Sequence, residues 1–305
     1  MNNKDVKIVE VGPRDGLQNE KSLVSLEVKT NFIIKLIDAG IKSLEVTSFV
    51  RADKIPQMSD ATQLYPLIKN YAKDKGLELP CLVPNMVGLK SALSLNVDHI
   101  ALFSATSNTF NRKNINASVD ESFMRLQEVV DYIKKNNSSI KMRGYVSTVF
   151  GCPYEGLVEM DQTLRVIEKM RDLGVDEISL GDTIGVANPI QVKNLIKQLK
   201  KNFDLSKIAM HFHDTEAMAL ANIYTSYNEG IRVFDSSAAG LGGCPYAKGA
   251  TGNVATDDVV NLFEKMKVNT GIDQEKLHVA SKYILENLGK AGGSKFYHAY
   301  EGRKK

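Results

Sequence analysis

The chain has 305 residues, 43% of them hydrophobic, and its 39 basic and 36 acidic side chains give a formal net charge of +3. This near balance gives no case for a nucleic-acid partner, and three scattered cysteines are too few for a disulfide framework, so we expect a reducing compartment. The sequence has no apolar run of about 18 residues that would predict a membrane span, and its short polar start leaves no room for a leader peptide. We therefore expect a protein of the cytoplasm.

Short apolar runs alternate with longer amphipathic segments about eight times along the chain. The apolar runs predict strands at 6–11, 43–47, 79–83, 99–103, 141–149, 177–180, 208–212 and 233–238. The segments between them predict helices at 26–39, 123–135, 159–173, 189–201, 217–229, 256–266 and 274–288. Ser118 and Glu121 form a predicted capping box ahead of the second of these helices.

Strands that alternate with helices are expected to be parallel and joined by right-handed crossovers, and eight such units can close into a (β/α)8 TIM barrel. An open, doubly wound sheet is the alternative, but the sequence GPRDG at 12–16 lacks the glycine fingerprint that usually follows its first strand. We expect one catalytic barrel domain over residues 1–305, with 274–288 as an extra C-terminal helix. We expect roughly residues 291–305 to form a polar tail, and a flexible tail is one interpretation of this composition.

In a TIM barrel the active site lies at the carboxyl ends of the strands. His211 and His213 are two residues apart on the seventh predicted strand, so their side chains share one face and can chelate a divalent ion. Asp15 and Asn253, from the neighbouring first and eighth units, would complete a set of two nitrogens and two oxygens. Such a set suits Mg²⁺, Mn²⁺ or Co²⁺ better than a closed structural zinc site. The alternative is a pair of hydrogen-bonded core histidines.

Three more charged side chains lie at predicted strand ends. Arg14, beside Asp15, forms either a solvated ion pair or a guanidinium placed to bind a carbonyl or a developing oxyanion. Glu45 interrupts an apolar run and is therefore either paired inside the barrel or functional, because an unpaired buried charge is too costly. Asp182 has the same two readings, and its simplest structural role is a helix N-cap.

The segment 240–253, with the sequence GLGGCPYAKGATGN, combines glycines with a thiol. Glycines let a loop turn tightly and approach a ligand closely, so Cys244 is placed to act as an acid, a base or a nucleophile. Its alternative role is that of a small buried filler. Cys152 and Cys81 are expected to be structural.

With these residues, the chain resembles the 3-hydroxy-3-methylglutaryl-CoA lyases. The resemblance is carried by VEVGPRDGLQNE at 9–20, TSFV at 47–50, RGYVS at 143–147, and by residues 151–156, 177–185, 211–215 and 236–258. The GLGGCPYA loop is specific to this lyase group within the wider superfamily of metal-dependent barrels. The resemblance implies a TIM barrel that uses a divalent cation, Mg²⁺ or Mn²⁺, to cleave 3-hydroxy-3-methylglutaryl-CoA to acetoacetate and acetyl-CoA, as in leucine breakdown.

The same resemblance assigns roles by position. The implied metal ligands are Asp15, His211, His213 and Asn253. The implied catalytic residues are Cys244, Arg14, Asp182 and Glu45, and the implied substrate-binding residues are Arg14, Gln18, Ser48 and Tyr145. No organic cofactor beyond the CoA of the substrate, no nucleic acid and no membrane are expected as partners, and a homodimer is compatible with the amphipathic helices.

The chain departs from the lyase pattern at two places, and other functions stay open. Glu216-Ala217-Met218 replaces the aromatic residue and Gly-Gln that commonly follow the H-x-H-D-T motif, and Asp257 stands where glutamate is common. A Claisen-condensing acyltransferase of the citramalate- or isopropylmalate-synthase type would share the H-x-H site but generally lacks the GGCPYA loop. A lyase for a longer 3-hydroxyglutaryl-CoA analogue is the other alternative. A binding scaffold without turnover is disfavoured, because all the ligands and the thiol are present.

Overall fold

The computed structural model describes residues 5–136, 139–243 and 251–303. The strands in this part of the chain are β1 (Lys7–Glu10), β2 (Ser43–Leu44), β3 (Thr47–Ser48), β4 (Cys81–Leu82), β5 (His99–Ala105), β6 (Lys141–Ser147), β7 (Gly151–Cys152), β8 (Gly156–Leu157), β9 (Glu177–Asp182), β10 (Ile208–Phe212) and β11 (Val233–Ser236). The α-helices are α1 (Leu26–Asp38), α2 (Ala61–Ala72), α3 (Met86–Ser94), α4 (Asn108–Ile115), α5 (Val119–Asn136), α6 (Met160–Leu173), α7 (Pro189–Asn202), α8 (Ala219–Asn228), α9 (Thr256–Lys265), α10 (Gln274–Leu288) and α11 (Lys295–Arg303).

The strands form a parallel sheet in the order β2-β1-β11-β10-β9-β6-β5-β4-β3, and β7 and β8 form a small antiparallel hairpin outside it. The two ends of this order, β2 and β3, are consecutive pieces of one strand. The first piece pairs with β1 and the second with β4, so the sheet closes on itself. The TIM barrel predicted from the sequence is therefore confirmed.

The single strand predicted at 43–47 was wrong in one respect, because the strand is interrupted at Glu45 and Val46. At this point the chain changes neighbours. The Glu45 N–H donates to the Glu10 carbonyl (2.9 Å), whereas the Val46 N–H donates to the Pro80 carbonyl (3.0 Å). The break follows from barrel closure, since the strand must contact β1 at one end and β4 at the other.

Most predicted helices are present with bounds shifted by a residue or two, and α10 has the predicted bounds. The capping box is confirmed: the Ser118 N–H donates to Glu121 Oε2 (2.6 Å), and the Glu121 N–H donates to Ser118 Oγ (3.2 Å), so α5 begins at Val119. Helices α2, α3 and α4 were not predicted individually. The region treated as a polar tail contains α11, whose first turn is held by Asp258 through the N–H groups of Lys295 (3.2 Å) and Phe296 (2.7 Å).

The main hydrophobic core lies between the barrel strands and the surrounding helices, and a small cluster of Val9, Val11, Ala209 and Val233 forms separately from it. Ion pairs gather around the first residues of several strands. Lys7 at the start of β1 contacts Glu78 (3.1 Å) and Glu177 (3.0 Å), and Lys141 at the start of β6 contacts Glu78 (3.1 Å). The carboxyl end of the barrel is therefore the end available for a ligand site. Within the described ranges, none of the helices combines the length and apolarity that crossing a membrane requires.

Candidate active site

The loop after β1 and the segment after β11 pack tightly against each other. Residues 12–16 form one wide helical turn in which the Gly16 N–H donates to the Val11 carbonyl (3.1 Å). A Cβ at Gly16 would lie 2.8 Å from Ser237 Oγ and 2.9 Å from Leu241 Cβ, closer than real contacts allow. Glycine at this position lets the first and eighth units of the barrel meet.

Glu10, a buried carboxylate that sequence reasoning missed, ties these same segments together. Its Oε1 accepts from the N–H groups of Gly12 (2.8 Å) and Ala238 (2.9 Å), and its Oε2 accepts from Thr256 Oγ1 (2.6 Å). Burial raises the pKa of Glu10 to about 7, despite the opposing effect of these hydrogen bonds. The signal was available, since Glu10 interrupts an apolar strand as Glu45 does.

Glu10 should make stability depend on pH. Its folded-state pKa of about 7 lies above the ordinary value of 4.5, so the folded state binds the extra proton between these values and the free energy of unfolding falls as pH rises. The loss is of the order of 3 kcal/mol and is complete above the folded pKa. Urea unfolding at several pH values should show this dependence in the wild type and a weaker one in Glu10→Gln, which keeps the contribution of Asp182. Parallel pH profiles for the two proteins would contradict this account.

The predicted metal ligands from the first and seventh units meet at the barrel mouth. One ligand atom from each of Asp15, His211 and His213 lies within 4.8 Å of the others, and the two imidazole centroids are 5.3 Å apart. Asn253 joins them: its Nδ2 donates to Asp15 Oδ2 (2.8 Å), and its backbone pairs with that of His213. Side chains two residues apart in an extended chain point to the same face, which places the His211 and His213 imidazoles on one side of the strand.

The ionisation of Asp15 and His213 favours cation binding. Burial opposes the charge on Asp15, but the Arg14 guanidinium and the two imidazoles outweigh it and lower the pKa of Asp15. Burial, together with neighbouring His211, lowers the pKa of His213 to about 3. An ionised carboxylate beside a neutral imidazole is the state in which both groups can donate electron pairs to a metal.

Unpartnered buried atoms provide the test of whether a divalent ion fits here. Among the described residues, His213 Nδ1 and Asn253 Oδ1 are buried and have no hydrogen-bond partner. Buried polar atoms are rarely left unpaired, because each costs about 1–3 kcal/mol. Three donors that converge, with unpaired atoms on His213 and on the adjoining Asn253, fit a cation such as Mg²⁺ or Mn²⁺.

Arg14 lies beside this cluster and is held by two carboxylates. Its Nη1 contacts Asp15 Oδ1 (3.0 Å), its Nη2 contacts Glu45 Oε2 (2.7 Å), and its guanidinium lies 5.6 Å from the centre of the Tyr145 ring. The structure therefore shows Glu45 paired with Arg14, and its catalytic role stays a prediction. Arg14 Nε is buried without a partner in the described part of the chain, as is Ser48 Oγ. These atoms are available to a ligand that enters the mouth.

Sequence reasoning missed the buried pair that supports this site, Arg143 and Asp235. Arg143 Nη2 and Nη1 contact Asp235 Oδ1 (2.6 Å) and Oδ2 (3.1 Å), and Arg143 also donates to Glu177 Oε1 (2.7 Å) and to the Tyr145 hydroxyl (2.9 Å). Asp235 Oδ2 lies 3.3 Å from His211 Nδ1. Both residues are charged side chains inside apolar strands, so the criterion applied to Glu45 could have found them.

The remaining predicted residues are placed as follows. Asp182 is buried, and its two oxygens accept from the N–H groups of Val186 (3.1 Å) and Ala187 (3.0 Å). It therefore caps its own loop, while Asn188 caps α7. Burial raises the pKa of Asp182 to about 6. Its catalytic role stays a prediction.

Gln18 is half-buried and Glu216 is exposed. Cys244 lies outside the described residues, so its role also stays a prediction. The adjoining Gly243 carbonyl accepts from Asn19 Nδ2 (3.1 Å), a contact that sequence reasoning did not foresee. Cys152 and Cys81 are buried, as a structural role requires.

Comparison with known proteins gives a consistent result. Residues 5–284 match the model of the HMGL-like family. The chain is 46% identical to a hydroxymethylglutaryl-CoA lyase of Bacillus subtilis, covering 94% of each protein, and 44% identical to the cytoplasmic 3-hydroxy-3-methylglutaryl-CoA lyase of Rattus norvegicus, covering 95% of this chain and 83% of the relative. The crystal structure of the lyase from Pseudomonas aeruginosa superposes with a TM-score of 0.94 at 42% identity, covering 98% of both chains. A structure of an Acinetobacter baumannii HMG-CoA lyase with coenzyme A and 3-methylmalate superposes with a TM-score of 0.92 at 32% identity, covering 98% of this chain and 96% of that one.

Proposed function

The chain belongs to the HMGL-like family, and we propose that its barrel mouth cleaves 3-hydroxy-3-methylglutaryl-CoA to acetoacetate and acetyl-CoA. The observation that carries this proposal is the convergence of Asp15, His211 and His213 beside Arg14. Relatives that match most of this chain's length include hydroxymethylglutaryl-CoA lyases. The reaction is a carbon–carbon cleavage in the retro-Claisen sense, so the site must remove a hydroxyl proton and stabilise an enolate.

The residues that would hold the divalent ion are Asp15, His211, His213 and Asn253. A bound cation would lower the pKa of the C3 hydroxyl and orient the substrate. The unpartnered Oδ1 of Asn253 and Nδ1 of His213 support this assignment. Mg²⁺ and Mn²⁺ are both proposed, since the donor set suits either ion.

Arg14 supplies the charge for the second half of the reaction. Its Nε has no partner among the described residues and can donate to the thioester oxygen, where negative charge develops as the C2–C3 bond breaks. Glu45 and Asp15 hold the guanidinium from the other side, and the Tyr145 ring lies 5.6 Å away. Because these contacts exist before substrate binds, stabilising the enolate requires little rearrangement.

The two proton transfers need a base and an acid. The proposed base for the C3 hydroxyl is Asp182, whose pKa of about 6 keeps it ionised at neutral pH, and the alternative is the surroundings of His211 acting with bound water. Cys244 is proposed to return a proton to the enolate carbon. Gln18 and Ser48 are proposed substrate contacts, and the buried, unpartnered Ser48 Oγ supports the second of these.

The alternatives are less well supported. A Claisen-condensing acyltransferase would share the cation site, but the relatives compared over nearly the full length of this chain are lyases. The related Acinetobacter structure contains coenzyme A and 3-methylmalate. A cytoplasmic location is proposed by analogy with the rat relative, although mitochondrial relatives also exist. A homodimer stays a prediction.

The test is a direct assay. Metal-free protein is incubated with 3-hydroxy-3-methylglutaryl-CoA, with and without Mg²⁺ or Mn²⁺, and acetoacetate is measured. We expect product only when cation is present and expect its loss when excess chelator is added, because the hydroxyl is not otherwise acidic enough. Absence of product with every cation, together with cleavage of a longer 3-hydroxyacyl analogue, would transfer the assignment to that analogue. Full activity in the chelated protein would contradict the metal site.

A further inference from the structure

We propose that Asp235 is a positioning residue for His211: it fixes the imidazole through Nδ1 and leaves Nε2 as the nitrogen that faces a cation. The inference deepens the proposed function and rests on the metal site assigned there. In the described part of the chain, His211 is the one predicted ligand to which Asp235 is hydrogen-bonded, so its effect on metal binding would pass through that ring.

The first support is the strand register. His211 on β10 is paired with Asp235 on β11 on one side and with Gly181 on β9 on the other. Side chains of paired residues in adjacent strands point to the same face. Because Gly181 has no side chain, Asp235 is the one lateral neighbour of His211 at this level that can hold the ring, and its Oδ2 lies 3.3 Å from Nδ1.

The second support is that Asp235 is itself immobilised. Its side chain is fully buried, and it accepts from Arg143 Nη2 (2.6 Å), Arg143 Nη1 (3.1 Å) and Ser179 Oγ (2.7 Å). With both oxygens occupied by these donors, the carboxylate cannot turn to become a metal ligand. A carboxylate that holds the far nitrogen of a metal-binding imidazole orients the ring and raises its basicity.

The third support is that the hydrogen bonds of Asp235 and Arg143 also extend to Tyr145. Arg143 is locked by Glu177 Oε1 (2.7 Å) and donates to the Tyr145 hydroxyl (2.9 Å), and the Tyr145 ring faces the Arg14 guanidinium. One buried ion pair thus supports a metal ligand and a substrate-facing ring together. The competing explanation is that Arg143 and Asp235 only fill the barrel centre, in which case metal affinity would not depend on Asp235.

The deciding measurement is Mn²⁺ binding to metal-free protein without substrate, by calorimetry or by the loss of free Mn²⁺ signal in electron paramagnetic resonance. Asp235→Asn keeps the side-chain size but replaces the carboxylate with an amide, next to the donors of Arg143 and Ser179 and the His211 imidazole. We expect Mn²⁺ binding to weaken by about 10–100-fold, the usual effect of losing such an outer partner. Ser179→Ala, which removes one of the donors that hold Asp235, should weaken binding by a smaller factor.

The matched control is Ser104→Ala on β5. Ser104 is also a buried strand serine, but its Oγ bonds to Ser122 Oγ (2.8 Å) on α5, on the helix side of the sheet. It should lose some stability and keep its Mn²⁺ affinity. An Asp235→Asn protein with a wild-type circular dichroism spectrum and Mn²⁺ affinity within about twofold of wild type would overturn the proposal, because an outer partner normally contributes more than this.

A second measurement uses only the wild-type protein, so it does not depend on whether a variant folds. Nitrogen-15 spectra of the histidine side chains in the metal-free wild type, recorded at alkaline pH, report which ring nitrogen carries the proton. We expect the Nδ1–H tautomer at His211, since Nδ1 must donate to the Asp235 carboxylate. The Nε2–H tautomer would overturn the proposal. Neither readout requires turnover, so a failed acetoacetate assay and a failed positioning role are distinguishable.

Discussion

Replacement of Arg14 by methionine is expected to lower kcat for 3-hydroxy-3-methylglutaryl-CoA by about 1000-fold or more. Removing one hydrogen-bond donor to a developing oxyanion typically costs about 100–1000-fold, and this change removes the positive charge as well. Arg14→Lys keeps the charge but loses the planar fork that spans Asp15 and Glu45, so it should recover only part of the rate. Steady-state kinetics of both variants at saturating Mn²⁺ provide the measurement.

Replacement of Arg14 also lowers the stability of the protein, and this effect must be separated from the loss of activity. Glu45 is completely buried, and removal of Arg14 leaves its charge unpaired, which costs stability of about 3–5 kcal/mol. The double variant Arg14→Met/Glu45→Gln removes that buried charge and should regain stability without regaining activity. Arg51→Met is the control, because the Arg51 side chain is 74% exposed and should tolerate the change in both respects. Near-wild-type kcat in the double variant would exclude a catalytic role for Arg14.

The second large effect is expected for His213→Ala, which should abolish acetoacetate formation and metal binding together. His213 is buried, its Nδ1 has no partner in the described part of the chain, and its pKa of about 3 keeps the ring neutral. Loss of a direct ligand should weaken Mn²⁺ binding by more than the roughly 10–100-fold typical of an outer partner. Metal content after loading, measured by atomic absorption, and Mn²⁺ titration of the metal-free protein give the answer.

His278→Ala is a suitable control for this variant. His278 is also buried, but its Nε2 bonds to Glu301 (2.6 Å) and its ring stacks on Tyr297 at a centroid distance of 4.7 Å, both in the C-terminal helix α11. Its loss should lower thermal stability and leave Mn²⁺ stoichiometry unchanged. If His213→Ala retained stoichiometric Mn²⁺, the cation site would lie elsewhere in the molecule.

Much of the fold could be predicted because its signals are local. Apolar runs alternating with amphipathic segments predicted the strands and most helices, and the Ser118–Glu121 capping box was predicted, although α5 begins at Val119, four residues before the predicted bound. Predictions failed where a distant partner decides the structure. The break at Glu45 depends on which strands close the ring, and α11 depends on Asp258, which caps it from 37 residues away in sequence.

In the candidate site, too, features with a local sequence signal were predicted, whereas contacts between distant residues were not. Asp15, His211 and His213 were predicted from the H-x-H spacing on a strand and from the closure that makes the first and eighth units neighbours. Whether Glu45 is paired was left open, and Arg14 was not predicted as its partner. The contact between Arg143 and Asp235 was not foreseen, because residues 92 positions apart in sequence carry no local sign of each other.

The sequence by itself determined the alternation of strands and helices, the residue types at the strand ends and the family to which the chain belongs. Only the tertiary structure decided which of those polar side chains touch, which atoms are left unpaired and which carboxylates are held by arginine. The physical reason is that hydrophobic periodicity is encoded within one strand or helix, whereas ion pairing and desolvation depend on neighbours supplied by other strands once the barrel has closed.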